Sequence, residues 1–167
     1  MIPPKVKMKN KLLAAMEAYF GADQKRINHA WRVLRRAEQI LEIEPGDRQI
    51  VEAAAILHDI GIHAAERKYG SAAGHFQEIE GPPIADKILQ KIKFPAEKIP
   101  AVLKIIAHHH SPGKVDSNEF KILCDADWLI NLGDEHDLAD KHRLKRMIDK
   151  IFMTRTGKEL ARQTYLA

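Results

Sequence analysis

Val51-Glu-Ala-Ala-Ala-Ile-Leu-His-Asp-Ile-Gly61 is an apolar run at helical spacing that closes on an imidazole beside a carboxylate. In a helix Val51, Ala54, Ala55 and His58 share one stripe, so His58 turns toward the interior. A carboxylate next to an inward histidine is partly buried and must be paired or metal-bound. Neighbouring helical residues diverge by about 100°, so His58 and Asp59 reach one ion only near a helix end, which Gly61 provides.

Upstream, His29 lies on the face of Val33, Ala37 and Ile40 and also points inward. Downstream, Cys124-Asp-Ala-Asp-Trp-Leu-Ile-Asn131 offers two carboxylates roughly 200° apart, of which only one can join a shared ion. Asp127 shares its face with Leu123, Ile130 and Asn131, and Asp125 with Ile122, Leu129 and Leu132. Periodicity does not decide between them, although an amide one turn beyond Asp127 favours that residue. His, His-Asp and Asp from three segments are the donors that hold a borderline or hard divalent metal.

Apolar residues recur at helical spacing along the rest of the chain, and no run of alternating β-branched residues appears. The expected fold is all-α, a compact single-domain bundle of six to seven helices over residues 1–167, with its core at about 22–134. The first helix runs from about Lys5 to Phe20, and Asp23 caps a second through about Glu42. Asp47 caps a third ending at Gly61, and Lys68 to Gly74 reads as a loop. A fourth follows Pro82-Pro83 to about Lys93, because proline suits a first turn, which makes Glu78 and Glu80 helix-start acids. A fifth ends near His110, a sixth spans about Asn118 to Leu132, a seventh Leu138 to Phe152, and a short one follows Gly157.

With 167 residues the chain buries enough apolar surface to fold without a metal, so a metal here is functional. The 27 basic and 23 acidic residues leave +4, which suits a phosphorylated substrate but falls short of a nucleic-acid tail. The basic run Lys141 to Arg146 is interleaved with acids and reads as a solvated face. With one cysteine, Cys124, no internal disulfide forms, and no apolar stretch approaches the roughly 18 residues of a membrane helix. A cytoplasmic protein with a packed thiol is expected.

Arg26-Ile-Asn-His29, Ile56-Leu-His-Asp-Ile-Gly61 and Ala126-Asp-Trp-Leu-Ile-Asn131 together resemble the HD-domain superfamily of metal-dependent phosphohydrolases. The resemblance spans about Arg26 to Leu132. It implies an all-α bundle and a metal held by His29, His58, Asp59 and Asp127, with Asp125 left to a supporting or packing role. The Ala-Asp-x-Leu-x-Asn stretch also looks like part of the guanosine-tetraphosphate hydrolase domains, which places the ligand at Asp127. Members with two metals use further histidines; His108-His-His110 falls in the right interval, but Gln77 stands where such a member has histidine. One ion rather than two is expected, with Mn, Fe, Ni, Co, Zn and Mg all admissible.

The resemblance suggests a nucleotide or other small phosphorylated metabolite, hydrolysed by metal-activated water. Asp59 orients that water, and His109 binds phosphate or protonates the leaving oxygen. Arg26, Arg67, Lys68, His75, His108, His110 and Asn131 are the candidate substrate contacts. The competing reading is a non-catalytic helical module that senses a nucleotide through the same metal pocket.

Overall fold

The His-Asp run folds as a short helix that stops before its histidine. In the computed structural model, which describes residues 1–167, this helix is α3 (Arg48–Leu57), preceded by α1 (Pro4–Phe20) and α2 (Gln24–Leu41). It is followed by α4 (Ile62–Tyr69), α5 (Gly74–Lys91), a single 3-10 turn (Ala96–Lys98) and α6 (Ile99–His108). The chain closes with α7 (Asn118–Glu135), α8 (Lys141–Ile151) and α9 (Arg155–Tyr165). The fold is all-helical as expected, with more helices than six to seven. No helix is long and apolar enough to cross a membrane.

Five of the helices, α2, α3, α7, α8 and α9, start on a capping side chain. Asp23, Asp47, Ser117 and Asp140 each accept a hydrogen bond from the backbone N–H three residues on, at 3.3, 3.2, 3.1 and 2.9 Å. Thr154 does the same for Gly157 at 2.9 Å. Each cap satisfies an amide that a helix start leaves without a partner.

Two expectations about element bounds are corrected. The third helix ends at Leu57, not Gly61; tight turns from Ile60 N–H to Leu57 O and from Ile62 N–H to Asp59 O, both 3.1 Å, carry the chain directly into α4. Residues 62–69 form a helix of their own, which takes in Lys68 and Tyr69 of the expected loop and which Gly70 ends with φ +67°. The fourth expected helix starts not at Pro82-Pro83 but at Gly74, with both prolines inside α5. Each proline forfeits one amide hydrogen bond, and the packing of α5 on α4 and α6 outweighs that loss. Glu78 and Glu80 thus sit in mid-helix, Glu78 accepting from Ser111 at 2.9 Å and Glu80 paired with Lys68 at 2.9 Å.

One apolar cluster runs from Leu12 through α2, α3, α6 and α7 to Ala161. Helix α2 lies along both α3 and α7, and α3 also meets α6. This arrangement brings the middle of α2, the end of α3, the end of α6 and the middle of α7 to one place.

Candidate metal centre

His58 follows the last residue of α3, and its Nδ1–H donates to Ala55 O at 2.8 Å. A carbonyl can only accept, so Nδ1 carries hydrogen and Nε2 faces the site. His109 repeats the device at the end of α6, donating from Nδ1 to Ile106 O at 2.7 Å. A ring fixed by a carbonyl one turn back is the usual second support of a metal-ligating histidine.

His29 from α2 and Asp127 from α7 complete the group. His29 Nε2 lies 3.0 Å from Asp127 Oδ1, 3.4 Å from Asp59 Oδ2 and 3.3 Å from His58 Nε2. His58 Nε2 lies 3.4 Å from both Asp59 Oδ2 and Asp127 Oδ1. A coordination shell of radius about 2.1 Å has edges of about 3.0 Å when octahedral and about 3.4 Å when tetrahedral. Five donor pairs stand at those separations, with His29, His58 and Asp59 forming the tightest group, and the imidazole and carboxylate donors suit a borderline or hard divalent ion.

Electrostatics point the same way. Burial alone would lower the His58 pKa, but the charges of Asp59 and Asp127 outweigh it and hold His58 well above 6.5. Burial would raise both carboxyls; His58, aided by His109 at Asp59 and by His29 at Asp127, instead holds them well below the ordinary carboxylate range. Two carboxylates around one imidazolium mark a place where positive charge is strongly favoured.

His109 Nε2 is buried, has no hydrogen-bond partner, and lies 3.6 Å from Asp59 Oδ1. Asp59 thus shows one oxygen to the His29–His58 pair and the other to His109. His110 Nε2 contacts Gln77 Oε1 at 3.2 Å, and Gln77 in turn donates to Ala72 O at 2.6 Å.

The cluster opens into a cavity of about 970 Å³, ample for a small metabolite. Arg26, His110 and Asn131 line it. Arg67, Lys68, His75 and His108 do not. Helix α4 carries Arg67 and Lys68 away, leaving Arg67 exposed and Lys68 paired with Glu80. His75 is exposed with its ring 3.9 Å from that of Phe76. His108 precedes His109, and a one-residue step of about 100° turns it from the site.

Several lining residues escaped the sequence reading. Lys25 is four residues before His29, an offset that places both on one helical face and would have revealed it. Arg32, which the sequence places three residues beyond His29 as Arg26 lies three before it, also lines the cavity while bonded to Asp134 at 2.6 and 3.2 Å. Lys150, Ile151 and Met153 come from the end of α8 and the residues after it, with no local signal. Cys124 also lines the cavity, but burial and the nearby Asp127 and Asp125 push its thiol far up, so it stays protonated.

A family model described as HD domain matches residues 26–132, the span that carries all four clustered side chains. The chain belongs to the HD domain family. It is similar to a predicted HD superfamily hydrolase from an uncultured Thermotogales bacterium, with 28% identity and a TM-score of 0.69 over 94% of this chain and 84% of that one. An HD-superfamily hydrolase from Bacillus thuringiensis shares the fold, with 22% identity and a TM-score of 0.67 over 97% and 92% of the two chains. No curated protein matches the chain.

Proposed function

We propose that the chain is a divalent-metal-dependent phosphohydrolase acting on a small phosphate ester, a nucleotide or similar metabolite, in the cytoplasm. The observation that carries this reading is the convergence of four side chains beside the large cavity, with His29 and His58 each 3.0 to 3.4 Å from both Asp59 and Asp127. These four side chains would hold the ion. When bound, a divalent ion supplies a Lewis acid for the phosphoryl group and a lowered pKa for water.

The chain's own residues do the rest. Asp59 Oδ1, free of the His29–His58 side, accepts a hydrogen bond from water and aims it. His109, its Nδ1 committed to Ile106 O, uses Nε2 for proton exchange with a phosphoryl or leaving oxygen. Arg26 and Asn131 donate to phosphoryl oxygens from the cavity wall. Lys25, Arg26 and Lys150 line the cavity opposite its carboxylates Asp59, Asp127, Asp134 and Glu135, so a bound cation would tip the cavity toward an anion. Asp59, His109 and His110 form a second group whose donor atoms lie within 4.8 Å of one another, and His110 is engaged there by Gln77.

The test is turnover of generic phosphate esters with Mn²⁺, Ni²⁺ or Co²⁺ by the wild type and by Asp127→Ala. Loss of turnover together with bound metal in the variant supports the reading; unchanged turnover overturns it.

A further inference from the structure

The family match stops at residue 132, but the cavity continues beyond it, with Lys150, Ile151 and Met153 forming part of its wall. These residues end α8 and begin the corner that leads into α9. The corner hangs from one side chain. Asp125, fully buried on α7, accepts Met153 N–H on Oδ1 at 2.9 Å, and Thr154 N–H and Oγ1–H on Oδ2 at 2.8 and 2.7 Å.

Thr154 Oγ1 also receives Gly157 N–H at 2.9 Å, and Thr156 N–H donates to Glu44 Oε1 at 3.0 Å. Every amide from Met153 to Gly157 except that of Arg155 is tied by these bonds. The corner is therefore a fixed surface. Helix α7 places Asp127 in the His-Asp cluster on one side and, two residues earlier, holds this wall with Asp125 on another.

The wall differs chemically from the His-Asp cluster. Trp128, one residue after Asp127, lines the same cavity as Ile151 and Met153, and these three supply much of its apolar lining. Lys150 adds a cation with no acidic partner. A substrate that reaches from the cluster to this wall meets metal and phosphate ligands at one end and aromatic, aliphatic and thioether surface at the other.

We propose that the α8–α9 corner is the specificity wall of the cavity, selecting phosphate esters whose non-reacting part is a flat apolar ring, with Asp125 as its positioning residue. The proposal rests on the phosphate-ester reading above and concerns binding of the group that does not react. A ring laid on Met153, Ile151 and Trp128 gains by burying apolar surface, whereas phosphate alone does not touch them.

The experiment measures binding by calorimetry to the full chain loaded with Mn²⁺, with 1-naphthylmethylphosphonate, which has no phosphate ester bond to cleave, and inorganic phosphate as probes. The wild type binds the naphthyl phosphonate more tightly. Met153→Ala, a change at a partly exposed side chain that leaves the core intact, weakens that probe about tenfold and inorganic phosphate less than about twofold. Thr154→Val, which removes the hydroxyl bonds while keeping the shape, lowers the same selectivity without altering any ring-contacting side chain. Equal weakening of both probes, no weakening of either, or no preference in the wild type overturns the proposal. Because binding is read without turnover, selective loss in a protein that hydrolyses nothing sustains the wall and refutes the phosphohydrolase.

Discussion

Gly61 and Gly81 meet backbone to backbone. A β-carbon on Gly61 would lie 2.6 Å from Gly81 N and 2.9 Å from Gln77 O, and one on Gly81 would lie 2.9 Å from Ile106 Cγ2. Gly61 has φ −81°, an ordinary helical value, so its role is close approach and not backbone freedom. The contact presses the turn bearing His58 and Asp59 against α5.

Gly61→Ala is accordingly expected to cost about 1–3 kcal/mol, because backbone atoms cannot yield as a flexible side chain does. Metal affinity should fall as well, since Asp59 is two residues away. Chemical denaturation with and without Mn²⁺ checks both; an unaltered midpoint would show that the turn can shift freely.

Metal-free protein should lose stability as pH rises. His58 has a folded pKa well above 6.5, so its contribution is fully present below about pH 6.5 and disappears as pH passes the raised value. Asp59 and Asp127 have depressed values, so theirs is present above about pH 4 and disappears on further acidification. A metal must displace the His58 proton, so the rise in Tm on adding Mn²⁺ should grow from pH 6 to 9. Thermal melts across that range are the measurement, and a metal-free Tm that climbs with pH contradicts it.

His109→Gln should separate chemistry from metal holding. The variant keeps His29, His58, Asp59 and Asp127, so bound metal stays near one ion per chain while kcat falls about a hundredfold. Elemental analysis beside steady-state kinetics decides. If the metal is lost together with turnover, His109 is a ligand and the one-ion scheme fails.

The cavity map distinguishes two sets of cations. Arg26→Ala should raise KM about tenfold through loss of a charge-assisted hydrogen bond of roughly 1.5 kcal/mol. Arg67→Ala and His75→Ala, which lie outside the cavity, should leave KM and kcat within about twofold. An effect of Arg67→Ala equal to that of Arg26→Ala would mean that α4 moves over the substrate.

Much of this arrangement could be read along the chain, because helices write themselves locally. The stripe Val51–Ala54–Ala55–His58 depends only on the helical period, and Asp23 and Asp47 cap because a carboxylate reaches an amide three residues on. The same local rules misled at Pro82-Pro83, where packing on α4 and α6 sustains a helix that proline alone would delay. They also missed α4, which carries Arg67 and Lys68 away from the cavity, while His75 sits in the first turn of α5, outside the cavity lining.

The sequence by itself determined the helical architecture and, through spacing and resemblance, named the four side chains His29, His58, Asp59 and Asp127. Only the tertiary structure decided that His109 alone of three adjacent histidines turns its unpartnered nitrogen toward Asp59. It also decided that Asp125 holds Met153 and Thr154 to form a cavity wall. The physical reason is that periodicity fixes which face of a helix a residue occupies, whereas what that face meets depends on how distant helices pack.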